Sequence, residues 1–281
     1  FLRWLEQGNA MTQAPKSYIA PPGSYGKIKI SIEPTDTKYA KDLATYPPDK
    51  SGLWTAPMET DGWFLEHCNI RSECTKMADV LDKLGTKTLE EWEIESLRSW
   101  FANHNLHIHE HHMHEDNIFT PFMQTRINLP EKLTTDHVQL VALLKAVMTI
   151  VEGQLASASV LRPAFEEYQK MLFTHLKEEE EIGLPLLRAY FAPEEVAPKT
   201  QEIINQTAPH ILGGFFYHLD AEGGSKGAIN QFMAQEGIPF FVYYIAFSPM
   251  RQKYFDTTQV HIDALLAGKP PPAPKKGCLC F

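Results

Sequence analysis

The chain has 281 residues, 43% of them hydrophobic, which suits one large domain with extensions or two small ones. Its net charge of −9, with no cluster of Lys and Arg, excludes nucleic acid as a partner, because phosphate binding needs a basic surface. No apolar run reaches the length of a transmembrane span; the best, IPFFVYYIAF (238–247), has ten residues and reads as a buried helix. The sequence starts at Phe1 rather than Met, so the lack of a targeting signal excludes nothing. Cys68 and Cys74 fall on one predicted helix, and Cys278 and Cys280 at the far end. That is no disulfide framework and points to a reducing, cytoplasmic compartment.

Residues 1–60 carry seven prolines and no long periodic segment. FLRWLEQ reads as a short helix, KIKISI as a short strand, and the rest as an extended arm over a domain surface. At Asp61, a helix-capping residue, the character changes. Trp63, His67, Ile70, Cys74, Met77, Leu81 and Leu84 follow at three- and four-residue spacing on one face, up to a stop at Gly85. A second helix runs from about Leu89 to Met123, with Ile94, Leu97, Phe101, His104, Ile108, His111, Glu115, Ile118 and Phe122 inward. After a break at Asn128 and Pro130, the third inward face is Leu133, His137, Leu140, Leu144, Val147 and Val151. The fourth is Phe165, Tyr168, Leu172, His175, Glu179, Ile182 and Leu186, ending near Tyr190. Four long amphipathic helices with short connections predict an all-α fold, an up-down antiparallel four-helix bundle over 61–190. Residues 191–268 are expected to add helices packed on the bundle, broken at Gly213-Gly214 and Gly223-Gly224, and 269–281 to form a flexible tail.

Each predicted helix carries a histidine in mid-stripe. A lone histidine there is usually a hydrogen-bonded core residue; four of them with two carboxylates ask for another reason. His111-x3-Glu115-x5-Pro121 matches His175-x3-Glu179-x5-Pro185, and each unit follows a helix with a single histidine, His67 or His137. Residues four apart stack on one helix face. Counted from the turns at about 1.5 Å per residue, the histidines of each antiparallel pair stand at similar heights. Six such groups converging in a core would be costly without partners. They are too many for one tetrahedral zinc and suit two ions bridged by carboxylates, iron or manganese before zinc or cobalt.

These residues resemble the hemerythrin family, specifically its HHE cation-binding branch, over about residues 62–190. The resemblance implies that His67, His111, Glu115, His137, His175 and Glu179 ligate two iron ions (manganese or zinc as alternatives). Glu115 and Glu179 would bridge, together with an oxo, hydroxo or water bridge. A ferritin-like site fits less well, because that pattern runs Glu-x-x-His. Oxygen-carrying members show His-x3-His on the third helix, whereas Val141 stands four residues after His137. One histidine ligand is thus missing, which puts simple oxygen carriage in doubt. The set is similar to iron-sensing domains and to di-iron proteins that handle nitric oxide, peroxide or iron–sulfur repair. The expected function is binding or sensing of O2, NO, peroxide or iron. The alternatives are a di-iron oxidoreductase, peroxidase or iron–sulfur repair protein, and a metal-stapled scaffold for a partner. No residue stands out as catalytic.

His104 and His107, near the face of His111, are either outer partners that orient ligands, the missing ligand, or a core and a flank histidine. Tyr168 is core, or a hydrogen-bond donor to a bound molecule. His109, His112 and His114 are expected at the surface. His112 with Asp116 also meets the four-residue spacing, but the equal distance to proline favours His111 with Glu115. Loss of two-ion occupancy is therefore expected for His111→Ala and Glu179→Ala, and not for His112→Ala. Asp116, Glu178, Glu180 and Glu181 are solvated or orient imidazoles. His210, His218 and His261 show no partner pattern. The tail ends Cys278-Leu-Cys-Phe, a loose prenylation box. Lipidation of Cys278 or Cys280 would anchor the chain to a membrane without spanning it; a plain disordered tail is the alternative.

Overall fold

A computed structural model describes residues 27–219 and 227–273. The described chain is helical and contains no strand; Ala40 and Ile127 make one isolated β-bridge. Helix α1 is Gly62–Leu84, α2 Glu91–His114, α3 Glu131–Glu152 and α4 Arg162–Glu178. Asp61 caps α1 by accepting the Trp63 N–H, and Gly85, at φ 55°, ends it in a conformation that side chains with a Cβ resist. A capping box of Glu90 and Glu93 starts α2. Helix α4 packs on both α1 and α3, and α3 packs on α2.

Both α2 and α4 continue through a widened π turn, Glu115–Phe119 and Glu179–Gly183, into Thr120–Met123 and Leu184–Tyr190. At these two turns a proline favours the widening, although Phe255–Gln259 widens in the same way without one. Pro121 and Pro185 have no N–H and would crowd the carbonyl four residues back. The residue before each proline instead bonds five residues back, Thr120 to Glu115 and Leu184 to Glu179. A third such turn, Tyr243–Phe247, precedes Pro249 at the same six-residue distance.

Two apolar clusters make the core. One gathers Ile70, Cys74, Leu97, Trp100, Phe101, Ile108, Leu140, Phe165 and Leu176. The other gathers Phe64, Leu65, Met123, Ile127, Leu184 and Tyr190. Along α2 and α4 the changeover between the clusters falls at buried histidines and glutamates: His111, His112 and Glu115 lie between Ile108 and Met123, and Glu179 and Glu180 between Leu176 and Leu184.

Residues 193–267 add α5 (Pro193–Gln206), α6 (Pro209–Leu219), α7 (Gly227–Gln235), α8 (Ser248–Tyr254) and α9 (Val260–Ala267). Helix α6 packs on α1 and α8, and α9 on α1 and α2.

Three expectations are corrected. KIKISI is not a strand: Lys27–Ile32 runs as irregular chain, with Ser31 N–H on the Glu181 carbonyl instead of a strand partner. IPFFVYYIAF is helical but not wholly buried; Val242, Tyr243 and Phe247 face inward while Phe240, Phe241, Tyr244 and Ile245 face out. Gly213-Gly214 does not break a helix. It lies inside α6, where a Cβ on Gly213 would sit 2.0 Å from the Met250 carbonyl oxygen, so the pair allows close approach of α8. The expectation of no clear transmembrane span stands: among the described residues α3 alone is long and apolar enough to cross a membrane, by length and composition only. It carries buried Asp136 and His137 and packs on α2 and α4. FLRWLEQ, Gly223-Gly224 and the tail cysteines lie outside the described residues.

Candidate metal centre

Two groups of buried side chains that could hold a metal ion share one residue. His67, His111, Glu115 and Glu179 form one; His112, Glu115, His137 and His175 form the other. All six residues expected at the centre are brought together. His112 joins them, against expectation. It is 4% exposed, neither ring nitrogen has a partner, and its ring stacks on His137 at 4.2 Å. His114 is buried too, while His109 is exposed as expected.

The missed signal was a three-residue spacing. Neighbours on an α-helix stand about 100° apart, so His111 and His112 face different sides of one interior point. Glu115 lies four residues from the first and three from the second, and both spacings stack on a helix face. Weighing only the four-residue spacing put His112 at the surface.

Each carboxylate divides its oxygens between two groups of imidazoles. Glu115 Oε1 lies 3.4 Å from His111 Nε2 and 3.9 Å from His67 Nε2, and its Oε2 lies 3.5 Å from His137 Nε2. Glu179 Oε2 lies 3.4 Å from His67 Nε2, and its Oε1 lies 3.4 Å from His175 Nε2 and 3.8 Å from His137 Nε2. The Nε2 atoms of His137 and His175 are 3.1 Å apart.

Outer groups fix the rings. Glu180 takes His67 Nδ1 at 3.0 Å and Arg71 Nη1 at 2.6 Å; Asp116 takes His137 Nδ1 at 2.9 Å. Glu180 is buried, so of the two readings given to these acids it is a ring-holding partner and not a solvated charge. Trp63, expected only as core, donates its indole N–H to Glu115 Oε1 at 2.7 Å and stacks on Phe119. Gly183 makes room for that indole, since a Cβ there would lie 3.0 Å from it.

The electrostatics favour ligation. Burial pushes His111 and His112 well below the usual imidazole range, and neighbouring histidines push the same way. Burial, aided by His137, also takes His175 down to about 4. Three imidazoles are thus neutral, the form that binds metal. His67 and His137 go up to about 9. Burial opposes this and is outweighed, for His67, by the nearby carboxylates of Glu115 and Glu180, and for His137 by those of Glu179 and Glu115. Burial and the Glu179 charge raise Glu115.

Cations fit this donor set. His67 Nε2, His111 Nε2, both nitrogens of His112, Glu115 Oε2 and Glu179 Oε2 are buried without a hydrogen-bond partner. Each such atom costs about 1–3 kcal/mol if left so. A cavity of about 20 Å³ adjoins Glu115, Glu179 and His137 and is closed by Trp63, Phe119, Met123, Leu129 and Leu133. That is room for one water-sized molecule, against a largely apolar wall.

His104, His107 and Tyr168 lie outside both groups. His104 and His107 meet Glu73, a residue the sequence pattern did not single out, and Tyr168 donates to or accepts from His104 Nε2 at 2.9 Å. Glu66 and Glu73 are two turns apart on α1, beside its apolar stripe; only pairing them with the His104-x2-His107 spacing of α2 would have exposed the cluster.

The sequence model of one family, described as the hemerythrin HHE cation binding domain, matches residues 59–187. No curated protein and no solved structure matches the chain significantly.

Proposed function

Since residues 59–187 are a hemerythrin HHE cation-binding domain, we propose that the chain holds two iron ions and binds or senses a small molecule such as O2, NO or peroxide there. Manganese or zinc are the alternative occupants. His67 and His111 hold one ion, His112, His137 and His175 the other, and Glu115 and Glu179 bridge them. The observation that carries this reading is the division of each carboxylate's oxygens between the two imidazole groups. His112 would supply the histidine that the third helix lacks, while Glu179, four residues after His175, still departs from the more distant Asp of the oxygen-carrying pattern. The first ion would have two imidazoles against three for the second, and the cavity beside Glu115, Glu179 and His137 offers room for a small ligand. This assignment also rests on α1–α4 being the up-down bundle that their spacing predicts.

Bound iron supplies a redox-active Lewis acid. The chain's own residues do the rest. Trp63 anchors Glu115 and, with Phe119, excludes bulk water from the cavity. Asp116 and Glu180 hold His137 and His67 on their Nδ1 side, which leaves Nε2 to face inward. The apolar wall favours a neutral diatomic molecule over a charged substrate.

Anaerobic iron-loaded protein exposed to O2 or NO tests the proposal by visible spectroscopy. A reversible charge-transfer band is expected. Catalytic loss of peroxide would favour the oxidoreductase instead, and metal-dependent melting without a spectral response would favour the scaffold.

A further inference from the structure

The second histidine–glutamate cluster lies beside the two-ion centre without sharing a residue with it. Glu73, His104 and His107 are 3%, 0% and 3% exposed, and their ligating atoms lie within 4.8 Å of one another. One atom, Glu73 Oε2, stands 3.1 Å from His104 Nδ1 and 3.0 Å from His107 Nδ1. Ligands about 2.0–2.2 Å from a common zinc would be separated by little more than this.

The far side of each ring is also held. Glu66 takes His107 Nε2, and the Tyr168 hydroxyl lies 2.9 Å from His104 Nε2. The Trp100 indole stacks on His104 at 4.7 Å. A ring that presents one nitrogen inward while a carboxylate or hydroxyl fixes the other is the usual setting of a ligating histidine.

The lid comes from outside the matched domain. Tyr254, on α8, is buried within electrostatic reach of Glu73; burial together with that charge holds its hydroxyl well above the usual phenol range, and the hydroxyl lies 3.0 Å from His218 Nε2 on α6. The glycine pair of α6 makes this possible: a Cβ on Gly214 would stand 2.9 Å from the Tyr254 ring.

We infer that Glu73, His104 and His107 form a second, mononuclear site for a zinc-class divalent cation, closed by Tyr254 of the C-terminal helices. Two imidazoles and one carboxylate suit zinc, with a fourth position for water or the Tyr254 oxygen. Without the ion, Glu73 accepts from both rings and the cluster closes on hydrogen bonds. The cation therefore competes with those bonds, binds more weakly than at the two-ion centre and exchanges. The inference does not depend on which metal fills that centre.

The test uses the full chain carrying Cys278→Ser and Cys280→Ser, so that tail thiols take up no metal. Chelator-stripped protein is titrated with zinc alone, and bound metal is counted by mass spectrometry. About three equivalents are expected, falling by one in Glu73→Gln and, separately, in His107→Gln. His175→Ala should lose zinc at the two-ion centre and keep the third equivalent, which separates failure here from failure of the proposed function. Two equivalents in the parent chain would overturn the site, as would a third that survives both Glu73→Gln and His107→Gln. Should both variants fail to fold, cobalt loaded after the two-ion centre is filled decides on the parent chain. A tetrahedral nitrogen–oxygen spectrum supports the site, and its absence rejects it.

Discussion

The two copies of the internal repeat, α1 with α2 and α3 with α4, differ less in what they contain than in what they lend. Both carry His-x3-Glu, a π turn that opens on that Glu, and a proline six residues on. Both follow the Glu with a second acid, and each of those acids reaches the other copy. Asp116, from the first, holds His137 of the second; Glu180, from the second, holds His67 of the first. The copies part company one residue after the shared histidine. His112 stands in the first where Leu176 stands in the second, and both are buried. Shared positions set two carboxylates between the imidazole groups in the same way, and the single unshared one makes the two sides unequal.

Removing a shared position should have the largest effect. Glu115→Ala and Glu179→Ala are each expected to take iron from two equivalents to none by elemental analysis, since each serves both imidazole groups. Retention of one ion in either variant would show that its carboxylate does not bridge. Next comes the unshared position. His112→Leu makes the first copy like the second and should drop occupancy from two ions to one, reversing the expectation drawn from proline spacing. Leu176→Ala, its counterpart, should keep both ions while lowering stability by about 2–5 kcal/mol in denaturant unfolding, the usual cost of emptying a buried leucine site.

Smaller effects should follow at the exchanged acids. Glu180→Gln and Asp116→Asn are each expected to weaken iron affinity about 10–100-fold in chelator competition. Glu180 should matter more, because it is buried and held by Arg71, whereas the Asp116 side chain is 42% exposed. The smallest effect concerns pH. In the metal-free chain His67 and His137 go up to about 9 from 6.5. Their protonation stabilises the fold fully below pH 6.5, and this contribution is lost as pH rises through about 9. The melting temperature of the stripped protein should therefore fall across that window. The loaded protein should not follow, because metal occupies the same nitrogens, and loading at pH 7 should release protons.

The helices and six of the seven centre residues could be read in the sequence because each follows a period. Asp61, Gly85 and Pro130 mark helix ends with local chemistry, and the repeat doubles the signal at His111 and His175. His112 escaped for the complementary reason: an internal repeat reveals only what both copies share. Trp63 and Glu73 escaped because their partners, Glu115 and the His104–His107 pair, lie on another helix, and no spacing within α1 signals that. The proline distance served as a mark of the metal unit, yet its cause is backbone bonding. Pro249 follows Tyr243 at the same distance, and that π turn contributes to none of the metal-holding groups among the described residues.

The exchanged acids set an order on maturation. A chain emerging from the ribosome presents His67, His111 and Glu115 long before residue 180, but His67 lacks its anchor until Glu180 has been made and folded back. On the proposed function, capture of a metal ion by half of the centre would thereby be discouraged during synthesis, and loading would be a late event that requires both halves to be present at once.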